Sequence, residues 1–394
     1  MLSLLSLLIG AASSTPEPVL EFVPAIAQVR CSVLDLVSSS LADCTTLDLR
    51  SNALHSLPVW ENVTFTDNQT FAMLSDALWD KERAPLIHTL LFSDSVSLAE
   101  DEARFLGMVA PRLYGLTTLA LDGCNLTALA AEAVVNSTLV AGSPMRALTL
   151  ARNAIGADGA KAIARQLAYS DQLSMLQLSE TALTPAGGEL LAESLGNGAG
   201  AGLEELALDQ SDIGDAGAIA LGQALARASG AKLRLLDLSG NSIGQIGGAS
   251  FGRSLAEAED GTRADGLREL YLSSNDLGDD GAIAIAAALE RRTHLYELSL
   301  HDNAILRTGA RAIERAMRRN RGLTRIHGLR HNDAWPDGIA YYIEVALARN
   351  TEARARGESA APVPVGEHLP MSEAERQQVS HPLDGSALDP RRLP

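Results

Sequence analysis

The stretch GLRELYLSSNDLGDDGAIAIAAAL, residues 266–289, writes one strand and one helix in a single line. Leu270 and Leu272 alternate with polar neighbours, Asn275 and Leu277 follow, and from Gly281 the apolar residues Ala282, Ile285 and Leu289 recur at helical spacing. The same line starts at Ile87, Leu116, Met145, Leu173, Leu203, Leu233, Leu267, Leu295 and Leu323, in steps of 29, 29, 28, 30, 30, 34, 28 and 28 residues. A divergent copy starts at Cys44 with Leu47, Leu49, Asn52 and Leu54. A fixed period of this length is the signature of a stacked repeat array.

In each copy the paired leucines have period two, so Leu270 and Leu272 point inward while Glu269, Tyr271 and Ser273 face out. Strands joined through helical crossovers run parallel, because only a connection of a dozen or more residues returns the chain to the same edge. Strands stack at about 4.8 Å while helices need about 10 Å. The expected fold is therefore an α/β solenoid, a horseshoe with a concave parallel sheet and convex helices. Gly159, Gly217, Gly247, Gly281 and Gly309 let the helices approach one another, and Asp158, Asp215 and Asp280 just before three of them suit helix N-termini. Asn153, Asn241, Asn275 and Asn303 share one repeat position, filled elsewhere by Ser95, Cys124, Thr181 and Ser211. An amide there both donates and accepts, which satisfies backbone groups that a buried turn would leave unpaired. That role is structural rather than catalytic.

The line L-x-x-L-x-L-x-x-N/C-x-L followed by G-x-x-G-A and a helix resembles the ribonuclease-inhibitor type of leucine-rich repeat. The resemblance runs from about residue 44 to 350. Proteins with this repeat include ribonuclease inhibitors, the sensing arrays of NOD-like receptors and the Ran GTPase-activating proteins. The resemblance implies a fold and a general task, the binding of proteins. This chain has no G-x-x-x-x-G-K-[ST] loop and only 3 cysteines. Segment 351–394 holds seven acidic and five basic residues, unlike the strongly acidic tail of the GTPase activators.

The formal charge of −17 and pI near 4.9 argue against general nucleic-acid or anionic-membrane binding and favour solubility or a basic partner. Four segments are expected: residues 1–15 as a signal peptide or N-terminal extension, 16–86 as a cap and divergent first repeat with an insertion, 87–350 as the repeats with a closing helix, and 351–394 as a disordered tail. Residues 1–12 are apolar but no Lys or Arg precedes Arg30, so a cleaved signal and a terminal cap both stay open. Sequons at Asn62, Asn68, Asn125 and Asn136 fit a secretory route, with a cytoplasmic location as the alternative. No other run is long enough for a membrane span. Cys31 and Cys44 are placed to pair across the N-terminal edge, whereas Cys124 sits at a buried repeat position.

Outward strand positions form rows from repeat to repeat. Glu205, Asp209, Asp237, Glu269 and Glu297 fall in them, with Tyr271 and Tyr296 alongside and His301 and Asp302 at the rim. Clustered charge steers an encounter and tyrosine rings supply buried contact, so these nine residues are the candidate partner-binding surface; an ordinary solvated face is the competing reading. Arg307, Arg311, Arg315 and Arg319 make a basic stripe on a convex helix, read as a solvated face or a dock for an acidic or phosphate-bearing surface. Gly248-Ala249-Ser250-Phe251-Gly252 matches the hydrolase nucleophile pattern, but repeat alignment puts Ser250 inside a helix, where no elbow forms. Residues Gly196 to Gly202 read as a flexible connector. His294, His301, His327 and His331 occupy different repeat positions, and without a carboxylate or cysteine at ligand spacing they make a weak zinc set.

The function these features predict is a non-enzymatic protein-interaction scaffold without cofactor or metal, binding a protein partner rather than nucleic acid. The alternatives are a small-GTPase regulator and an innate-sensing array.

Overall fold

The computed structural model describes Arg30–Cys31, Thr46–Asp48 and residues 87–357, apart from 93–97, 99, 230–231, 259–261, 292–293, 329–331 and 333–336. The expectations for residues 1–15, the insertion before Ile87, Cys44, Asn62, Asn68, Ser95, His331 and the tail after residue 357 lie outside the described residues.

Among those residues one sheet has eleven strands in sequence order. They are β1 (Arg30–Cys31), β2 (Thr46–Asp48), β3 (Thr89–Leu91), β4 (Thr118–Ala120), β5 (Ala147–Thr149), β6 (Met175–Gln177), β7 (Glu205–Ala207), β8 (Leu235–Asp237), β9 (Glu269–Tyr271), β10 (Glu297–Ser299) and β11 (Arg325–His327). Every neighbouring pair is parallel, with equivalent repeat positions opposite one another, as in Glu269↔Glu297 and Leu270↔Leu298. From β3 onward each strand is followed by a helix. These are α1 (Glu100–Val109), α2 (Ala128–Thr138), α3 (Gly156–Leu167), α4 (Thr184–Gly196), α5 (Gly214–Arg227) and α6 (Gln245–Glu257), then a four-residue helix α7 (Arg263–Gly266), α8 (Gly278–Arg291), α9 (Arg307–Arg319) and α10 (Asp337–Ala355). The chain is an open α/β solenoid, as the repeat line predicts.

Its core is one continuous apolar layer between sheet and helices. The central residue of each strand from β3 to β10 is a buried leucine, from Leu90 to Leu298, and the helices contribute small or branched residues such as Ala160, Ile163, Ala282 and Ile285. Strands of three residues suffice from β2 to β10 because each is held on both sides. The last strand, β11, is exposed at its two outward residues, and α10 packs beside α9 to close the array.

The repeated asparagines form a ladder. Asn275 Oδ1 accepts from the N–H of Asn241 and of Ile243, both at 3.0 Å, while its Nδ2 donates to the carbonyls of Leu238, Leu272 and Ser273. Asn153 and Asn241 repeat the pattern, reaching back to Leu121 O and Leu208 O. Each amide therefore stitches its own turn to the preceding one. Thr181 and Ser211 substitute hydroxyls, both donating to Leu178 O. One rung lay outside the pattern read from sequence: Asn332 Oδ1 accepts from Asn303 N at 2.8 Å and its Nδ2 donates to Leu300 O at 2.8 Å.

Four local expectations are corrected. Asp215 does not cap its own helix: no side chain caps α5, and Asp215 Oδ1 instead accepts from Gly244 N, at 2.6 Å, at the start of α6. In the repeat that begins at Leu267 the capping carboxylate is Asp279 rather than Asp280, accepting from Leu306 N and Gly309 N of the next repeat. The helices are packed closely enough for a side chain to reach the neighbour's first turn more easily than its own. Ser273 is buried rather than outward-facing, hydrogen-bonded to Ser299 at the end of the next strand. The glycine-rich stretch after α4 is a bonded turn and not a loose connector: Gly198 and Gly200 take positive φ, and Gly200 N donates to Leu167 O at 3.0 Å. The 34-residue step is absorbed partly by α7 and by a bridge between Ser229 and Thr262, so it too is structured. Ser250 lies inside α6, where a nucleophile elbow cannot form.

Candidate functional site

Parallel register brings the outward residues of separate repeats into rows. One row reads Thr118, Ala147, Met175, Glu205, Leu235, Glu269, Glu297 and Arg325, and a second reads Ala120, Thr149, Gln177, Ala207, Asp237, Tyr271, Ser299 and His327. Glu205, Asp237, Glu269, Tyr271 and Glu297 are thus gathered on β7 to β10. Asp209, His301 and Asp302 stand beyond the strand ends at the rim, and Tyr296 stands just before β10.

At the centre is Glu269. One carboxylate oxygen accepts from the Tyr271 hydroxyl at 3.0 Å and the other accepts from the Tyr296 hydroxyl. The Tyr271 hydroxyl also lies 3.3 Å from Glu297 Oε1. Burial, followed by the neighbouring carboxylates, raises both phenols, Tyr296 to about 12. They therefore act as neutral donors throughout the physiological range.

Glu297 is 8% exposed, which removes most of it from any partner's reach. Its oxygens meet Arg325 Nη1 and His327 Nε2, both at 2.9 Å. Burial raises its pKa, but these hydrogen bonds outweigh burial and hold it below the usual glutamate range. The neighbour that spacing did not show is Glu297, which meets His327, while His301 Nδ1 lies 2.7 Å from the adjacent Asp302 Oδ2. These are separate pairs; among the described residues no three His, Cys, Asp or Glu side chains converge as a metal site.

Glu205 behaves oppositely. Burial, then the charge of Glu269, raises its pKa, and Arg234 only partly opposes them. Between Glu205 and Glu269 the register places Leu235, a half-buried aliphatic at an outward position. Hydrophobic periodicity alone assigns such a leucine to the core, so sequence reasoning missed it; aligning the repeats would have found it. Asp237 Oδ1 accepts from Ser239 N at 2.8 Å, and Asp209 accepts from the Ser179 hydroxyl of the preceding repeat. The Arg354 guanidinium at the end of α10 lies over the Tyr296 ring, 4.5 Å from its centroid.

A family model described as a leucine-rich repeat matches residues 143–164, 203–222, 231–252 and 267–286. These four matches identify leucine-rich repeats within this chain. No curated protein matches it. Among solved structures it is similar to one titled leiomodin-1 actin-binding site 2, at 19% identity and TM-score 0.36, covering 42% of this chain and 90% of that one. It is also similar to the tropomodulin C-terminal domain of Caenorhabditis elegans, at 18% identity and TM-score 0.32, covering 42% of this chain and 95% of that one. Among the described residues no helix is long and apolar enough to cross a membrane.

Proposed function

We propose that this chain is a non-enzymatic binding scaffold whose concave face takes a basic segment of a protein partner. The observation that carries this reading is the convergence of Glu205, Asp237 and Glu269 with Leu235, Tyr271 and Tyr296 on one open stretch of strands, all partly accessible. Carboxylates there would meet lysine or arginine, while Leu235 and the rings would supply apolar contact. The tyrosine hydroxyls fix Glu269 in place before a partner arrives, which lowers the ordering cost of binding. Glu297, Arg325 and His327 stand beside that arrangement on the next two strands, where the two cations hold the Glu297 carboxylate. Asp209, His301 and Asp302 would contribute at the rim.

Selection of a displayed random peptide library on the full chain tests this. Enriched sequences should be rich in Lys and Arg, and Asp237→Lys with Glu269→Lys should lose them. Enrichment without cationic bias, or unchanged by the reversals, would overturn the reading.

A further inference from the structure

Helix α9 presents a cationic outer face on a chain of formal charge −17. Arg318 and Arg319 are neutralised locally, by Glu314 at 2.8 Å and Glu290 at 3.6 Å. Arg307, Arg311 and Arg315 are exposed, and among the described residues none of the three makes an ion pair.

This row is not part of the repeat template. Where α9 has Arg307, the helices α5 and α8 have Asp215 and Asp279, whose carboxylates cap the following helix. Where it has Arg311 and Arg315, they have Ile219 and Gln223, and Ile283 and Ala287. The row also costs stability. Arg307 stands in the first turn, at the positive end of the helix dipole, and cations spaced by four repel one another. Such a row, without compensation inside the chain, makes sense against something outside it.

Beside the arginines lie exposed aliphatic side chains. Leu306 is 49% exposed at the start of α9, and Ile283, at the repeat position of Arg311, is 41% exposed on the adjoining α8. We infer that the outer face of α8 and α9 docks an acidic amphipathic helix of a partner protein, with its carboxylates over Arg307, Arg311 and Arg315 and its apolar side chains over Leu306 and Ile283. The row spans about 12 Å, roughly two helical turns of a ligand. A ligand one helix wide suits a single row of cations better than a broad anionic surface, which would also cover the acidic Asp279, Asp280 and Glu290 of α8. Aliphatic rather than aromatic neighbours argue against base stacking. This face is separate from the concave one, so either reading can fail alone.

The test is fluorescence anisotropy on the full chain with a labelled peptide of about 18 residues, bearing glutamate every fourth position and leucine on the adjoining stripe. Saturable binding should weaken with salt, fall roughly tenfold in Arg311→Gln with Arg315→Gln, and fall severalfold in Leu306→Ser with Ile283→Ser. A scrambled peptide of equal charge should bind severalfold more weakly. Thermal midpoints that do not fall in either variant keep any loss attributable to the surface. No saturable binding, equal binding of the scrambled peptide, insensitivity to the arginine variant, or preferential binding to phosphatidylserine vesicles would each overturn the inference.

Discussion

The repeats on β4 to β6 and those on β7 to β10 share a frame and differ in what they show to the outside. Both halves bury a leucine at the strand centre and place an asparagine, a hydroxyl or, after β4, the thiol of Cys124 in the turn. Their outward rows part company: Thr118, Ala147, Met175, Ala120, Thr149 and Gln177 are uncharged, whereas Glu205, Asp237, Glu269 and Glu297 are acidic. The difference shows that period-two alternation separates two jobs along one strand. Inward positions set the fold, and outward ones are free to differ from repeat to repeat.

If the frame is common, breaking it should cost the same in both halves. Asn275→Ala and Asn153→Ala each leave buried backbone groups unpaired, and each should cost about 1–3 kcal/mol or more, read as matching falls in thermal midpoint. A loss confined to Asn275 would show that the two halves are not held alike. A smaller effect is expected at the caps. Asp215→Ala removes the carboxylate that serves Gly244 N of α6 and should cost about 1 kcal/mol, with hydrogen exchange accelerated in the first turn of α6 rather than of α5. Faster exchange in α5 alone would refute the cross-repeat cap.

The smallest effect carries the opposite sign. Glu205 has a raised pKa in the folded chain, so its contribution to stability is greatest below its unfolded pKa and declines as pH rises through the folded value. Glu205→Gln should therefore raise the thermal midpoint slightly at pH 7 to 8, and the gain should vanish in acid. A midpoint lowered at neutral pH would mean that the carboxylate is held by partners rather than crowded by them.

Most of the frame was legible from spacing. The leucine offsets, the asparagine position and the helix-opening glycines are local signals, and the structure keeps each where the period puts it. What escaped depended on contacts between repeats. Asp215 looks like a cap for the helix it sits on, yet serves the next one, because lateral packing brings another helix start within reach. Asn332 stands one residue late, after Gly328 has replaced the second strand leucine with a residue at φ +85°. Glu297 reads as an open acidic residue until Arg325 and His327 of the following repeat are laid beside it. The concave residues were found as a group because rows follow from the period alone. Their separation into supporting Glu297 and accessible Glu205, Asp237 and Glu269 required side-chain contacts.

The paired glycines of the helix layer bear on shape. A Cβ on Gly188 would lie 3.1 Å from the Cα of Gly217, and one on Gly248 would lie 3.6 Å from the Cα of Gly281. At these two joints backbone faces backbone, so α4 and α5, and α6 and α8, approach more closely than side chains would permit. Helix spacing and strand spacing are opposite ends of one lever. Where the outer end is short, the inner surface opens, so the array bends less at these joints than between helices kept apart by larger residues. The second joint lies behind β8 and β9, the strands that carry Asp237, Glu269 and Tyr271.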